Sequence, residues 1–307
     1  MSTGTAPALT SVTGEPPAPL IEPTARRRFR PHRPSAWHLV LIPITFILLA
    51  PFFLMVVTSL ETPAETRTFP PVLIPHHPQW ANYPHALDAA PFVRFMINSA
   101  VVAIVVVAAN LLLCSVAGYA FARLRFLGRG VLFAVLMATL MVPFQVTMIP
   151  EFLIVKWLGT NVWNQLGIDH LGALIVPNMA TAFGIFFLRQ FFLTLPVELE
   201  EAARIDGTSR LGVLFKIVLP LSLPALATLG IIQFLWSWND FLWPLIIINT
   251  ASHAPLQVGL SMLQGSHSTE WNLLMAGTLM SQIPILAAFV FAQRWFVQSL
   301  AYAGIKS

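Results

Sequence analysis

Apolar residues in this chain gather into long runs, and the polar residues collect in short segments between them. Crossing roughly 30 Å of hydrocarbon takes about 20 helical residues. Six runs satisfy that length: residues 38–59, 98–121, 131–155, 172–192, 219–243 and 275–298. The pattern predicts six transmembrane helices. Prolines stand in or beside several of them, among them Pro143 and Pro150 in the third, Pro177 in the fourth, Pro220, Pro224 and Pro244 in the fifth, and Pro284 in the sixth. Each removes a backbone donor and kinks its helix, either as fixed packing or as a hinge.

Composition agrees with lipid as the solvent. With 56% hydrophobic and 10% charged residues among 307, the chain carries more apolar surface than a soluble core of that size hides. The single cysteine, Cys114, sits inside an apolar run and excludes an intrachain disulfide. Residues 1–37 are rich in proline and small polar residues, lack hydrophobic periodicity and end in Arg26, Arg27, Arg28, Arg30 and Arg33; they are expected to form a disordered cytoplasmic tail. Because the run that follows is too long for a signal-peptide core and lacks a cleavage site, it reads as an uncleaved first span. Residues 38–307 then form one six-span domain.

Charge sets the expected orientation. Of the 17 Lys and Arg, all except Arg67, Arg94 and Lys156 fall on the tail's side of the predicted spans. Positive charge is retained in the cytoplasm during insertion, so both termini are placed inside. The net charge of +4 therefore reports topology and calls for no nucleic-acid partner.

Between the fourth and fifth spans lies the most highly charged ordered segment, PVELEEAARIDGTSRLGVLFKI, residues 196–217. Pro196 suits a first helical turn, and Glu198, Glu200 and Glu201 sit where the helix dipole favours negative charge. Leu199, Ala202 and Ala203 share a face thin enough for another protein to approach. Asp206-Gly207 ends this helix, and Thr208 or Ser209 caps a second one running through Leu211, Leu214 and Phe215. The expected result is a helix–turn–helix on the cytoplasmic surface. An amphipathic hairpin resting on headgroups is the bland alternative, but three acids within four positions suit a basic protein groove better than an anionic leaflet.

The string EEAARIDG followed by IVLP resembles the EAA motif of permease subunits in bacterial ATP-binding-cassette importers. Glu201, Ala202, Ala203, Asp206, Gly207, Ile217, Leu219 and Pro220 match it. Further likenesses to the carbohydrate-type branch are Trp80-Ala-Asn-Tyr83, Phe92 to Ser99, Pro143 to Pro150, Phe183 to Phe192 and Trp238 to Pro244. The ending Ala301 to Lys306 is similar to that of the maltose-type second permease subunit, with Ile in place of Val and Ser307 added. The resemblance implies a heteromeric importer: a second homologous permease, two copies of an ATPase subunit, and an extracellular or periplasmic solute-binding protein. ATP and Mg would be held by the ATPase partners. This chain has no Gly-x4-Gly-Lys-[Ser/Thr] with which to cradle phosphate, so it is expected to carry no cofactor and no enzymatic step.

Polar residues inside the runs are candidates for a solute path: Gln145, Asn178, Asn239 and Asp240, each alternatively a helix–helix bond or an interfacial residue. The aromatics around Asp240, namely Trp236, Trp238, Phe241 and Trp243, read as an interfacial belt or as sugar-stacking faces. His76, His77 and His85 lack metal-ligand spacing and read as solvated loop residues. An ion-coupled secondary transporter is the competing class, but it leaves the hairpin unexplained.

Overall fold

The computed structural model describes residues 37–264 and 269–304, with side chains of the last helix described as far as Phe291 and at Gln293. The tail, its basic cluster and the closing Ile305–Ser307 lie outside the described residues. All regular structure among the described residues is helical: α1 His38–Ser59, α2 Asn82–Asp88, α3 Phe92–Arg123, α4 Arg129–Thr139, α5 Phe144–Asn161, α6 Gly172–Ile175 and α7 Ala182–Thr194. There follow α8 Glu198–Ile205, α9 Arg210–Val213, α10 Leu219–Leu221, α11 Leu223–Asn239, α12 Leu242–Ile247, α13 Leu256–Met262 and α14 Trp271–Gly304. The chain divides into two units, residues 1–48 and 49–307. Of the first, only the opening of α1 is described, and everything below concerns the second.

Among the described residues, four helical stretches are long and apolar enough to cross a membrane: α1, α3, Gly172–Thr194 and the start of α14. The count reaches six if two bent pairs each form one span. Many large apolar side chains, such as Leu112, Val135, Leu153 and Phe289, remain exposed. In water such a surface would drive aggregation; against lipid it costs nothing.

The expected third and fifth spans differ from single kinked helices. α4 and α5 meet at 104°. Val142 precedes Pro143, whose ring disfavours the helical conformation at the residue before it, and Pro143 itself leads into the second helix from extended backbone (φ −62°, ψ 140°). α9 and α10 join α11 at 81°, breaking at Ser222. Pro224 stands in the opening turn of α11, where a missing N–H is harmless. Pro220 follows without a break on a π turn over Leu214–Val218, the wider winding that gives a proline ring room inside a helix. Among the described residues, Pro43 and Pro51 in α1, Pro150 in α5 and Pro284 in α14 lie inside long continuous helices. The second span also starts earlier than its hydropathy, at Phe92.

At 32 residues, α3 is about 48 Å long at 1.5 Å per residue and forms the axis of the bundle. Around its first half, Phe92, Phe95, Val102 and Val106 pack with Trp238, Trp243, Ile247 and Leu256; around its second half, Cys114 and Tyr119 pack with Leu188, Phe192, Val213, Leu214 and Leu229. Two small residues set the crossing of α3 with α7. A Cβ on Gly118 would lie 3.2 Å from the Arg189 backbone N, and one on Gly184 would lie 2.8 Å from Cys114 Sγ. Helices in lipid associate largely through such close approach.

The expected aromatic belt is only half realised. Trp238 Nε1 donates to Ser281 O at 3.2 Å and Trp243 Nε1 to Ala173 O at 3.1 Å, so both indoles are buried struts tying α11 to α14 and α12 to α6. Their N–H groups needed buried acceptors and found carbonyls at these helix contacts. Trp236 and Phe241 stay exposed.

Loops at the Phe92 end of α3 are tied down by polar clasps. Arg94 Nε donates to Ser252 O at 3.0 Å, and Asn98 Nδ2 donates to Ser252 O at 3.0 Å and to Ala254 O at 2.9 Å. Asp169, at φ 66°, accepts on Oδ1 from the backbone N–H groups of Asn249 and Thr250, each at 2.9 Å. Desolvation opposes ionisation there, but those N–H groups, the Thr250 hydroxyl and nearby His253 outweigh it and hold the carboxyl below its usual range.

Two outcomes follow. Gly184→Leu should destabilise the packed chain by about 1–3 kcal/mol through overpacking, read as a lowered melting temperature in detergent. Because the folded-state pKa of Asp169 is depressed, its clasp is fully present above the ordinary carboxylate pKa of about 4 and is lost as pH falls through the lower folded value. Amide exchange at Asn249 and Thr250 should accelerate only in that acidic window, and Asp169→Asn should remove the pH dependence.

Candidate functional site

The segment from Pro196 to Pro220 folds as two helices around a sharp turn. Gly207 sits at φ +83°, where an L side chain is strained. The Thr208 N–H reaches Ala203 O at 2.9 Å and the Gly207 N–H reaches Arg204 O at 3.0 Å, the crossed pair of bonds that closes a helix on a left-handed glycine. Ser209 then opens the next helix, its hydroxyl accepting from Gly212 N at 3.1 Å.

One buried ion pair ties this hairpin to the bundle. Arg123 Nε lies 2.7 Å from Glu200 Oε1, and Tyr119 Oη donates to Glu200 Oε2 at 3.1 Å. Arg123 Nη2 also donates to Phe192 O at 2.7 Å and to Leu195 O at 2.6 Å. The end of α3, the end of α7 and the start of α8 are thus joined through one guanidinium. Its planar fork can serve a carboxylate and two carbonyls at once, which a lysine could not.

This pairing corrects two expectations. The three glutamates do not act as one outward acidic cluster, because Glu200 is buried and spent inside. Leu199, Ala202 and Ala203 do not share one presented face either: drawing Glu200 inward turns Ala203 toward the apolar cluster and leaves Leu199 and Ala202 outside. Glu201, Ala202, Asp206, Gly207 and Pro220 are exposed, while Ala203, Ile217 and Leu219 are half-buried. The exposed large apolar groups are Val197, Leu199, Leu211, Phe215 and, at 86% exposure, Ile205. A pocket of about 380 Å³ between hairpin and α3 gathers Arg125, Arg204 and Arg210 beside Glu201, so the presented surface is mixed in charge. The sequence reading missed Tyr119 and Arg123, and grouped Glu200 with the outward acids. A tyrosine and an arginine one helical turn apart at the end of an apolar run were the available signal.

Three of the four candidate path residues converge elsewhere. Asn178, Asn239 and Asp240 line a cleft of about 600 Å³ formed by α3, the turn at Val176–Asn178, α11 and the start of α12. Gln145 does not join them; it is exposed, and its neighbour Phe144 lines the wall instead. Unforeseen from sequence were Ser99, Thr181, Gln233 and Ser237, while Trp236, one of the aromatics singled out around Asp240, also lines the wall. Gln233 is buried and its Oε1 has no hydrogen-bond partner. A lone glutamine within an apolar run was the signal for it. Asn178 also has a structural part: its Nδ2 donates to Leu174 O at 3.0 Å, and its backbone carbonyl accepts from Asn110 Nδ2 at 3.4 Å.

Removing the fork should be costly. Arg123→Ala leaves a buried carboxylate unpaired, at about 3–5 kcal/mol. Its expected signature is proteolysis within residues 196–217 at protease levels that spare the parent chain.

Residues 111–302 match the family described as binding-protein-dependent transport system inner membrane component. An arabinooligosaccharides transport system permease protein, AraQ of Halalkalibacterium halodurans, is 40% identical over 210 residues, covering 68% of this chain and 72% of its own. An sn-glycerol-3-phosphate transport system permease protein, UgpE of Yersinia enterocolitica, is 35% identical over 271 residues, covering 86% and 94%. The fold resembles that of a chain in the crystal structure of a bacterial ABC transporter involved in the import of the acidic polysaccharide alginate. There the TM-score is 0.73 at 24% identity, with 84% of this chain and 94% of the other covered.

Proposed function

Since this chain belongs to the family of binding-protein-dependent transport system inner membrane components, a multi-pass permease subunit rather than an enzyme, we propose that it forms half of the path by which a sugar or related solute is imported. The relatives' named cargoes, arabinooligosaccharides and sn-glycerol-3-phosphate, support a sugar or related polyol compound, and the ion-coupled alternative does not fit the family.

In this reading the hairpin of residues 196–217 faces the cytoplasm, both termini are inside, and Glu201, Ala202, Ala203, Asp206, Gly207, Ile217, Leu219 and Pro220 form the coupling segment. Two ATPase subunits bind ATP and Mg, one docking on the hairpin through Ile205, Leu199 and the mixed charges around Glu201. A second, homologous permease completes the path, and a solute-binding protein delivers the cargo from outside. Asn178, Asn239 and Asp240 contribute to the path surface, while Gln145 is withdrawn from it.

The observation that carries this reading is the junction at Arg123. Closure of the ATPases around ATP displaces the docked hairpin. Because Arg123 fixes α8 and the end of α7 to α3, the displacement passes into α3 rather than being absorbed by a loose loop. Arg94 and Asn98 hold the 252–254 loop, roughly 40 Å from Arg123 along the helix. Ser99 and Pro255, beside that loop, line the cleft. One rigid element thus reaches from the ATPase contact to the path.

The test is ATP hydrolysis stimulated by loaded binding protein in reconstituted complexes. Gly207→Val strains the left-handed turn and misdirects α9, and Glu201→Lys reverses a charge at the docking face. Both should insert normally, retain less ATPase on purification and lose most of the stimulation. Stimulation equal to the parent's in both variants would return the hairpin to an interfacial loop.

A further inference from the structure

The cleft between α3, α11 and the start of α12 contains one ionisable side chain, Asp240, and no lysine or arginine. A surface meant for a phosphate or carboxylate needs the reverse, because an anion entering a narrow, partly apolar site must exchange its hydration for donors and positive charge.

The hydrogen-bonding inventory points the same way. Asn178 has given one amide N–H to Leu174 O, and Asn239 one to Leu235 O at 2.9 Å. The Ser99 hydroxyl accepts from Leu256 N at 2.8 Å. Gln233 Oε1 is a buried acceptor with no donor, and an ionised carboxylate such as that of Asp240 offers about four acceptor sites, of which the backbone N–H groups of Trp243 and Phe241 occupy some. The unmet capacity is therefore of both kinds: Gln233 Oε1 and the Asp240 carboxylate call for donors, and the remaining N–H of Asn178 and of Asn239 and the Ser99 O–H call for acceptors. A hydroxyl group supplies both at once, whereas a phosphate or carboxylate group supplies acceptors alone and brings a like charge facing Asp240. Trp236, half-exposed on the wall, adds a flat apolar face suited to the C–H side of a sugar ring. The volume, about 600 Å³, lies inside the range of about 300–1,000 Å³ typical of small-molecule sites.

We propose that this cleft accepts a neutral, polyhydroxylated solute and rejects phosphate- and carboxylate-bearing ones, with Asp240 as the discriminating residue. The inference rests on the reading of the chain as an importer permease, and it narrows that reading to neutral mono- and oligosaccharides or polyols.

The experiment uses the complete transporter with its binding protein in proteoliposomes, supplied with radiolabelled arabinobiose, arabinotriose, maltose and glycerol as neutral probes. Glycerol 3-phosphate and digalacturonate are the anionic ones. ATP-dependent uptake should be confined to the neutral set, with anions at least tenfold lower. Uptake of either anion within tenfold of the best neutral probe overturns the inference while leaving the importer reading intact. If no probe of either class enters while the complex hydrolyses ATP, the importer reading falls and the inference with it. Equilibrium dialysis of the permease–ATPase complex without binding protein locates the discrimination on the permease. Asp240→Asn should narrow the neutral-to-anion binding ratio at least tenfold, and Asp240→Glu should keep it. An unchanged ratio in Asp240→Asn removes the discriminating role from this carboxylate.

Discussion

Arg123 meets two carbonyls of the α7 terminus and Glu200, which Tyr119 also holds, at one buried point, and the geometry of the whole hairpin depends on that meeting. A charge taken out of water is tolerated only when it is paired and hydrogen-bonded, so the guanidinium cannot sit there unless all three segments arrive together. The same requirement fixes the rotation of α8: with Glu200 inward, Glu201 and Ile205 point out. Gly207 then sets the direction of the second helix. Docking surface and tether are consequences of one polar contact buried within an otherwise apolar cluster.

Much of this was legible in the sequence because the bilayer imposes so few solutions. Runs of about 20 apolar residues mark spans in lipid, and the first expected span coincides with α1. The glycine turn was legible too, since a local pattern of capping residues around Asp206-Gly207 specifies a local conformation. What escaped was set by distant partners. Nothing in ELEEAAR distinguishes Glu200 from Glu201; the choice is made by an arginine far upstream. Trp238 and Trp243 looked interfacial because indoles usually are, and only the carbonyls of Ser281 and Ala173 made them internal. Hydropathy is also blind to direction, so the two sharp bends could not be told from straight crossings with kinks.

The cleft illustrates a different limit. Its residues come from α3, the 176–178 turn, α11 and α12, elements separated by long stretches of chain, and no spacing rule joins them. Asn178, Asn239 and Asp240 stood out because polar residues are scarce in apolar runs, yet the same rule raised Gln145, which points elsewhere. Scarcity finds candidates, whereas convergence requires the fold. Once converged, their meaning depends less on identity than on which donors are already committed, an accounting available only when each amide's partner is known.

The bend between α4 and α5 decides what this part of the chain offers its surroundings. Where a helix stops at Thr139 and another starts at Phe144, the carbonyls of Met137, Ala138 and Thr139 accept from the N–H groups of Leu140, Met141 and Val142, so the backbone closes on itself in tighter turns. Polar backbone left open to hydrocarbon would be costly, and here those acceptors are met locally. What remains outward is side chain: Leu140, Met141 and Val142 are all exposed, Met141 at 85%. The turn thus presents an apolar knuckle for lipid or a neighbouring chain to cover.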